Sequence, residues 1–160
     1  MIKILFICHG NICRSAAACY VMKELARREG LEKEFMIDSA ATSTEEIGEP
    51  VYPPMRRTLE SHGIPCGGHH ARQMTRRDYD NFDLLIAMDS ENLYYMNRMY
   101  RQDPEGKFRN LLDYAGRPGQ EVPDPWYTRD FETAYRDVLE GCEGIIAAFR
   151  AGRGRYGSQL

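Results

Sequence analysis

The stretch "ILFICHGNICRSA", residues 4–16, constrains the fold more than any other part of the chain. An apolar run ends at Cys8, and Arg14 follows six positions on. Beyond it Ala18, Val21, Met22 and Leu25 recur at helical spacing until Gly30. A strand must therefore give way to a helix within residues 9–13. A turn that tight aims its amides at one point in front of a helix N-terminus, which makes an anion nest. Gly10 and Asn11 suit the backbone angles required, since glycine accepts positive φ freely and asparagine better than most residues.

The same alternation continues. "EFMIDSAAT" reads as a second strand, and "PPMRRTLESHG" as a helix with proline at its start and Gly63 at its end. "FDLLIAMD" reads as a third, buried strand, followed by a helix whose Leu93, Met96 and Tyr100 share a face. "FRNLLDY" is the fourth strand in this reading. Phe131, Tyr135, Val138, Leu139, Cys142, Ile145, Ile146 and Phe149 then mark a long amphipathic helix. Strands alternating with helices imply an open doubly wound α/β sheet of about four parallel strands, with helices on both faces. The expected organisation is one domain over residues 1–152 and a frayed tail over 153–160. In such sheets ligands sit beyond the carboxyl ends of the strands, where Cys8 falls.

A net charge of −3 provides no global field for nucleic acid, so any anion site must be local. No run of about 18 apolar residues exists, which argues against membrane insertion. "MIKILFIC" is too short for a signal peptide. The five cysteines, at positions 8, 13, 19, 66 and 142, are an odd set unlike a secreted disulfide framework. A cytoplasmic, monomeric protein with free thiols is expected.

Spacing alone does not single out Cys8, because "CGGHHAR", residues 66–72, repeats it. With 17 arginines and five cysteines in 160 residues, about 0.5 such matches arise by chance. Context separates the two loops. Cys66 follows "HGIP" with no strand before it, and it leads to Thr75 and Asp78, which resemble a helix cap. Residues 66–72 therefore read as connecting structure. Cys8, by contrast, stands at the focus of amides, a helix dipole and a guanidinium, conditions that favour a thiolate. Arg14 offers a planar fork to two phosphoryl oxygens, and Ser15 a hydroxyl to the sulfur. The competing readings are a core cysteine for Cys8 and a first-turn helix residue for Ser15.

With C-H-G-N-I-C-R-S after an N-terminal strand, the chain closely resembles the low-molecular-weight protein tyrosine phosphatases over about residues 2–150. The resemblance implies Cys8 as nucleophile, Arg14 as phosphate clamp and a distant aspartate as proton donor. It also implies phosphate binding by His9, Gly10, Asn11, Ile12 and Cys13. Two Asp-Pro pairs compete for the acid, Asp103 in "RQDPEG" and Asp124 in "EVPDPWYTRD". Only Asp124 matches the family pattern of Asp-Pro followed by aromatics. The chemistry agrees, since a phenolate leaves badly unless protonated and Pro123 and Pro125 stiffen the segment.

Trp126 and Tyr127 would line the mouth with His9 and Ile12, the alternative being loop anchors packed on the core. Ser39, His69 and Arg72 match positions that brace the phosphate loop together with Asn11, and Asp89 matches an acidic position there. Cys13 is expected to form a disulfide with oxidised Cys8, switching the enzyme off reversibly. The implied partners are tyrosine-phosphorylated proteins or peptides, with inorganic phosphate as product. No cofactor or metal is required. Phosphoarginine hydrolysis is the closest rival, disfavoured by bulky Ile12 where that branch tends to carry threonine. Arsenate reduction is a weaker rival, because Cys66 lacks a nearby partner for a disulfide relay.

Overall fold

Helix and strand boundaries follow the hydrophobic pattern closely in the computed structural model, which describes residues 1–152 and Leu160. The sequence alternates β1 (Ile2–Cys8), α1 (Arg14–Arg28), β2 (Phe35–Ala41), α2 (Pro53–Ser61) and α3 (Arg76–Asn81). After these come β3 (Leu84–Ala87), α4 (Ser90–Met99), β4 (Phe108–Asn110), α5 (Pro125–Thr128) and α6 (Phe131–Gly152). Four parallel strands form one sheet in the order β2-β1-β3-β4. The expected tail over 153–160 lies outside the described residues apart from Leu160.

Alternation along β1 divides the core between the two faces. Ile4, Phe6 and Cys8 pack towards α1 and α6, whereas Leu5 and Ile7 pack with Tyr79, Phe82 and Met96 from the α3 and α4 side. Both faces are covered, so β1 must be apolar almost throughout. At the start of α3 the Asp78 carboxylate reaches back to the Thr75 amide at 2.7 Å, the cap expected from sequence.

One element departs from expectation. "FRNLLDY" keeps only Phe108–Asn110 as strand and then coils into a short 3-10 helix, Leu111–Ala115. A strand would send Leu111 and Leu112 to opposite faces at the edge of the sheet. The helical turn instead buries both completely in the core on the α6 side.

Candidate active site

Cys8 is the last residue of β1 and Arg14 the first of α1, so residues 9–13 form the loop that the spacing demanded. The turn is made by Asn11, which is fully buried at φ 60, while Gly10 stays outside the positive-φ region. The expectation for Gly10 is thus corrected. Asparagine bears the left-handed conformation because its side chain and carbonyl are tied on all sides.

Those ties run in one direction. The Arg72 amide donates to Asn11 Oδ1 at 3.2 Å, and Asn11 Nδ2 donates to Ser15 Oγ at 2.8 Å. With its oxygen engaged, the Ser15 hydroxyl is left to donate to Cys8 Sγ, 3.0 Å away. The Asn11 amide adds a second donor to the same sulfur at 3.3 Å. Two donors are thus aimed at one buried sulfur. His69 Nε2 donates to the Asn11 carbonyl at 2.6 Å, and burial holds the His69 pKa below its ordinary value despite that acceptor.

His69 and Arg72 therefore brace the loop, Arg72 through its backbone, since its guanidinium is held by Asp78 and Asp38. Ser39 does not. It pairs in register with Phe6 on the face turned to α1, and among the described residues no hydrogen bond joins its hydroxyl to the loop. Strand alternation sends Asp38, its neighbour, to the face where Arg72 lies.

Arg14 is 2% exposed and fixed from three directions. Nη1 donates to Asp89 at 2.6 Å and to the Val122 carbonyl at 3.0 Å, and Nη2 lies 3.4 Å from Asp124 Oδ2. Burial alone would lower its pKa, but Cys8, Asp89 and Asp124 more than offset that and raise it. Asp124 caps the short α5, accepting from the Trp126 amide at 3.0 Å. Asp103, the rival aspartate, is occupied elsewhere: it accepts from the Tyr79 hydroxyl and from the amides of Lys107 and Phe108. It closes a loop and takes no part in the cleft.

A cleft of ≈ 280 Å³ gathers Cys8, Ile12 and Arg14 with Asp124, Trp126 and Tyr127, and His9, Gly10 and Cys13 also reach it. Trp126 is 51% and Tyr127 82% exposed, so they stand over the mouth and do not serve as core anchors. His9 pairs with Glu45 at 2.9 Å, and both reach the same cleft. Cys66 is not among the cleft residues.

The family model of low molecular weight phosphotyrosine protein phosphatase matches residues 3–153. The chain belongs to the low molecular weight phosphotyrosine protein phosphatase family. It is 38% identical to the low molecular weight protein-tyrosine-phosphatase YfkJ of Bacillus subtilis, with 94% of this chain and 97% of that protein covered. The crystal structure of YfkJ superposes with a TM-score of 0.91 over 96% of this chain and 97% of that one. The low molecular weight phosphotyrosine protein phosphatase of Gallus gallus is also 38% identical, with 90% and 93% covered. A drosophila arginine phosphatase superposes with a TM-score of 0.84 at 29% identity, covering 93% of this chain and 98% of that chain.

Set against this family, the site has wall residues, and one supporting residue behind the wall, that sequence reasoning passed over. Glu45 and Glu46 form part of its wall. Tyr52 donates its amide to the Ile12 carbonyl at 2.9 Å and lays its ring against Trp126. They lie between β2 and α2 with no spacing that links them to Cys8, and only the fold brings them there. Among the described residues no helix is long and apolar enough to cross a membrane.

Proposed function

We propose that the chain hydrolyses phosphotyrosine in proteins or peptides through a phosphocysteine intermediate. One observation carries this reading: a sulfur with two donors, a buried guanidinium and a carboxylic acid converge on one cleft walled by aromatic rings. Cys8 Sγ attacks phosphorus as the P–O bond to the aryl oxygen breaks, and Asp124 delivers its proton to that oxygen. Arg14 and the amides of residues 9–13 hold the phosphoryl oxygens as charge builds on them. Asp124 then takes a proton from water, whose oxygen displaces sulfur from phosphorus, and Ser15 donates to the departing thiolate. In the free enzyme Asp124 rests against Arg14, and an arriving phosphoryl group would compete for that guanidinium and release the acid.

The same reading makes Cys13 the thiol that captures oxidised Cys8, and places the enzyme's work in the cytoplasm. A second reading, phosphoarginine hydrolysis, is favoured by Glu45 and Glu46 in the cleft wall, where carboxylates suit a guanidinium. The likeness to an arginine phosphatase supports considering it. Arsenate reduction lacks such support, because no further cysteine besides Cys8 and Cys13 lines the cleft.

The test is hydrolysis of p-nitrophenyl phosphate and of phosphotyrosine, phosphoserine and phosphoarginine peptides. Wild type should favour the phosphotyrosine peptide and Cys8→Ser should be inactive. On the phosphotyrosine peptide Asp124→Ala should keep substrate binding and lose about 10²–10⁴ in turnover, the range for an absent general acid. Full activity of either variant on that peptide overturns the mechanism.

A further inference from the structure

Two sets of contacts hold the segment that carries Asp124, and they are built differently. On the side before the acid, the Val122 amide donates to the Met88 carbonyl at 2.9 Å and the Val122 carbonyl accepts from Arg14. Glu121 also accepts from the amide and hydroxyl of Ser90 at 2.6 and 3.0 Å. These ties fasten it to the end of β3 and the start of α4. On the side after the acid, the four-residue α5 is exposed apart from Pro125 and ends at Arg129, which holds a left-handed φ of 57. That half needs a support of its own, and Tyr52 supplies it.

The Tyr52 ring lies 5.4 Å from the Trp126 ring and 5.9 Å from that of Phe131. Its hydroxyl accepts from Arg129 Nη1 at 3.2 Å, and the same guanidinium stands 5.5 Å over the Tyr52 ring and 5.2 Å over Phe131. Tyr52 is itself fixed to the phosphate loop by the hydrogen bond its amide donates to the Ile12 carbonyl, and to α2 by its carbonyl, which accepts from the Arg56 amide at 3.0 Å. One side chain thus spans from the loop that binds phosphate to the helix capped by the acid. Aromatic and cation–π contacts of this kind are worth enough to select one loop position.

We propose that Tyr52, with Arg129, is a positioning pair that sets the distance between Asp124 and the leaving oxygen. The proposal rests on the phosphatase reading and concerns only the proton delivered as the P–O bond breaks. A misplaced acid matters little for p-nitrophenolate, which departs without help, and greatly for phenolate, which resembles tyrosine. An acid displaced by about 1 Å loses on the order of 10²-fold, and a loosened one less. The backbone bond from Tyr52 to Ile12 survives side-chain replacement, so phosphate binding should not change.

The experiment compares kcat/KM for phenyl phosphate and p-nitrophenyl phosphate, which reports the step up to leaving-group departure, in wild type, Tyr52→Leu, Tyr52→Phe and Arg129→Asn. Asparagine is chosen because it tolerates the left-handed backbone at that position. In Tyr52→Leu, phenyl phosphate should lose at least about tenfold more than p-nitrophenyl phosphate, with the inhibition constant of inorganic phosphate unchanged. Tyr52→Phe keeps the stacking and should recover most of the loss, while Arg129→Asn should show a smaller loss with the same preference. Once Asp124→Ala is present, Tyr52→Leu should add little. Equal losses on both substrates, or a loss of phosphate binding in step with melting temperature, would overturn the positioning role and leave the phosphatase reading standing. Wild type inactive on both aryl phosphates would overturn both.

Discussion

Cys13 ends the phosphate loop as a buried thiol whose pKa is raised first by burial and then by the neighbouring charges of Cys8 and Asp124. The second sulfur is thereby kept protonated and inert. Peroxide changes this by oxidising Cys8 to a neutral sulfenic acid, which removes one of the charges opposing Cys13 ionisation. In the protection proposed above, attack of Cys13 on that sulfur would form the disulfide and expel water. Wild type oxidised by peroxide should regain activity with a thiol reductant, and Cys13→Ser should not; equal recovery with no linked peptide by mass spectrometry would refute the role. Ile12 is the second residue to test. Its side chain borders the cleft near Glu45 and Glu46, and replacing it by threonine would remove apolar bulk and add a hydroxyl. Ile12→Thr should raise phosphoarginine hydrolysis relative to phosphotyrosine hydrolysis, and an unchanged ratio would move selectivity to His9 or Trp126. At this scale Cys8, Arg14 and Asp124 were legible because short-range spacing or a stiff Asp-Pro pair advertises them. Ser39 was misassigned because a strand position does not say which loop its face will meet.

Among the elements, α6 shows most plainly how packing overrides propensity. Gly141 and Gly144 lie mid-helix, where alanine would normally stabilise by about 1 kcal/mol. Here the 3-10 helix at Leu111–Ala115 presses against the helix backbone. A Cβ at Gly144 would fall 1.9 Å from the Tyr114 carbonyl oxygen, and one at Gly141 2.4 Å from Leu111 Cγ. The first neighbour is backbone and has no rotamer to yield. Gly144→Ala should therefore destabilise by about 2 kcal/mol or more, measured by urea unfolding, against the sign of helix propensity. A stability at or above wild type would mean that the 3-10 segment moves away freely. The apolar period of α6 was readable in sequence because it repeats every turn. The helical turn after β4 was not, since "FRNLLDY" is equally compatible with an edge strand until α6 supplies a groove for two adjacent leucines.

Across the whole molecule, the site draws together the end of β1, the segment at residues 66–73, the start of α4 and the segment ahead of α6, so its integrity depends on contacts between parts distant in sequence. His69 makes one such contact, and it titrates. Its ring lies edge-on to Tyr20 at 6.3 Å, with Asp38 favouring its charge and His70 and Lys23 opposing it. Burial outweighs the Asn11 carbonyl and Asp38, so the folded pKa is depressed relative to about 6.5 in an unfolded chain. The unfolded state then binds the proton first as pH falls. The stability His69 contributes is fully present above about pH 6.5 and is lost progressively below it, down to the depressed folded value. His69→Gln keeps a donor for the Asn11 carbonyl but removes the titration. Melting temperatures across pH 5 to 8, a range of about three units around that midpoint, should fall more steeply for wild type than for His69→Gln below pH 6.5. The gap between the two proteins should narrow as the solution becomes more acidic. Parallel curves over that range would show that His69 is not the group whose protonation loosens the loop.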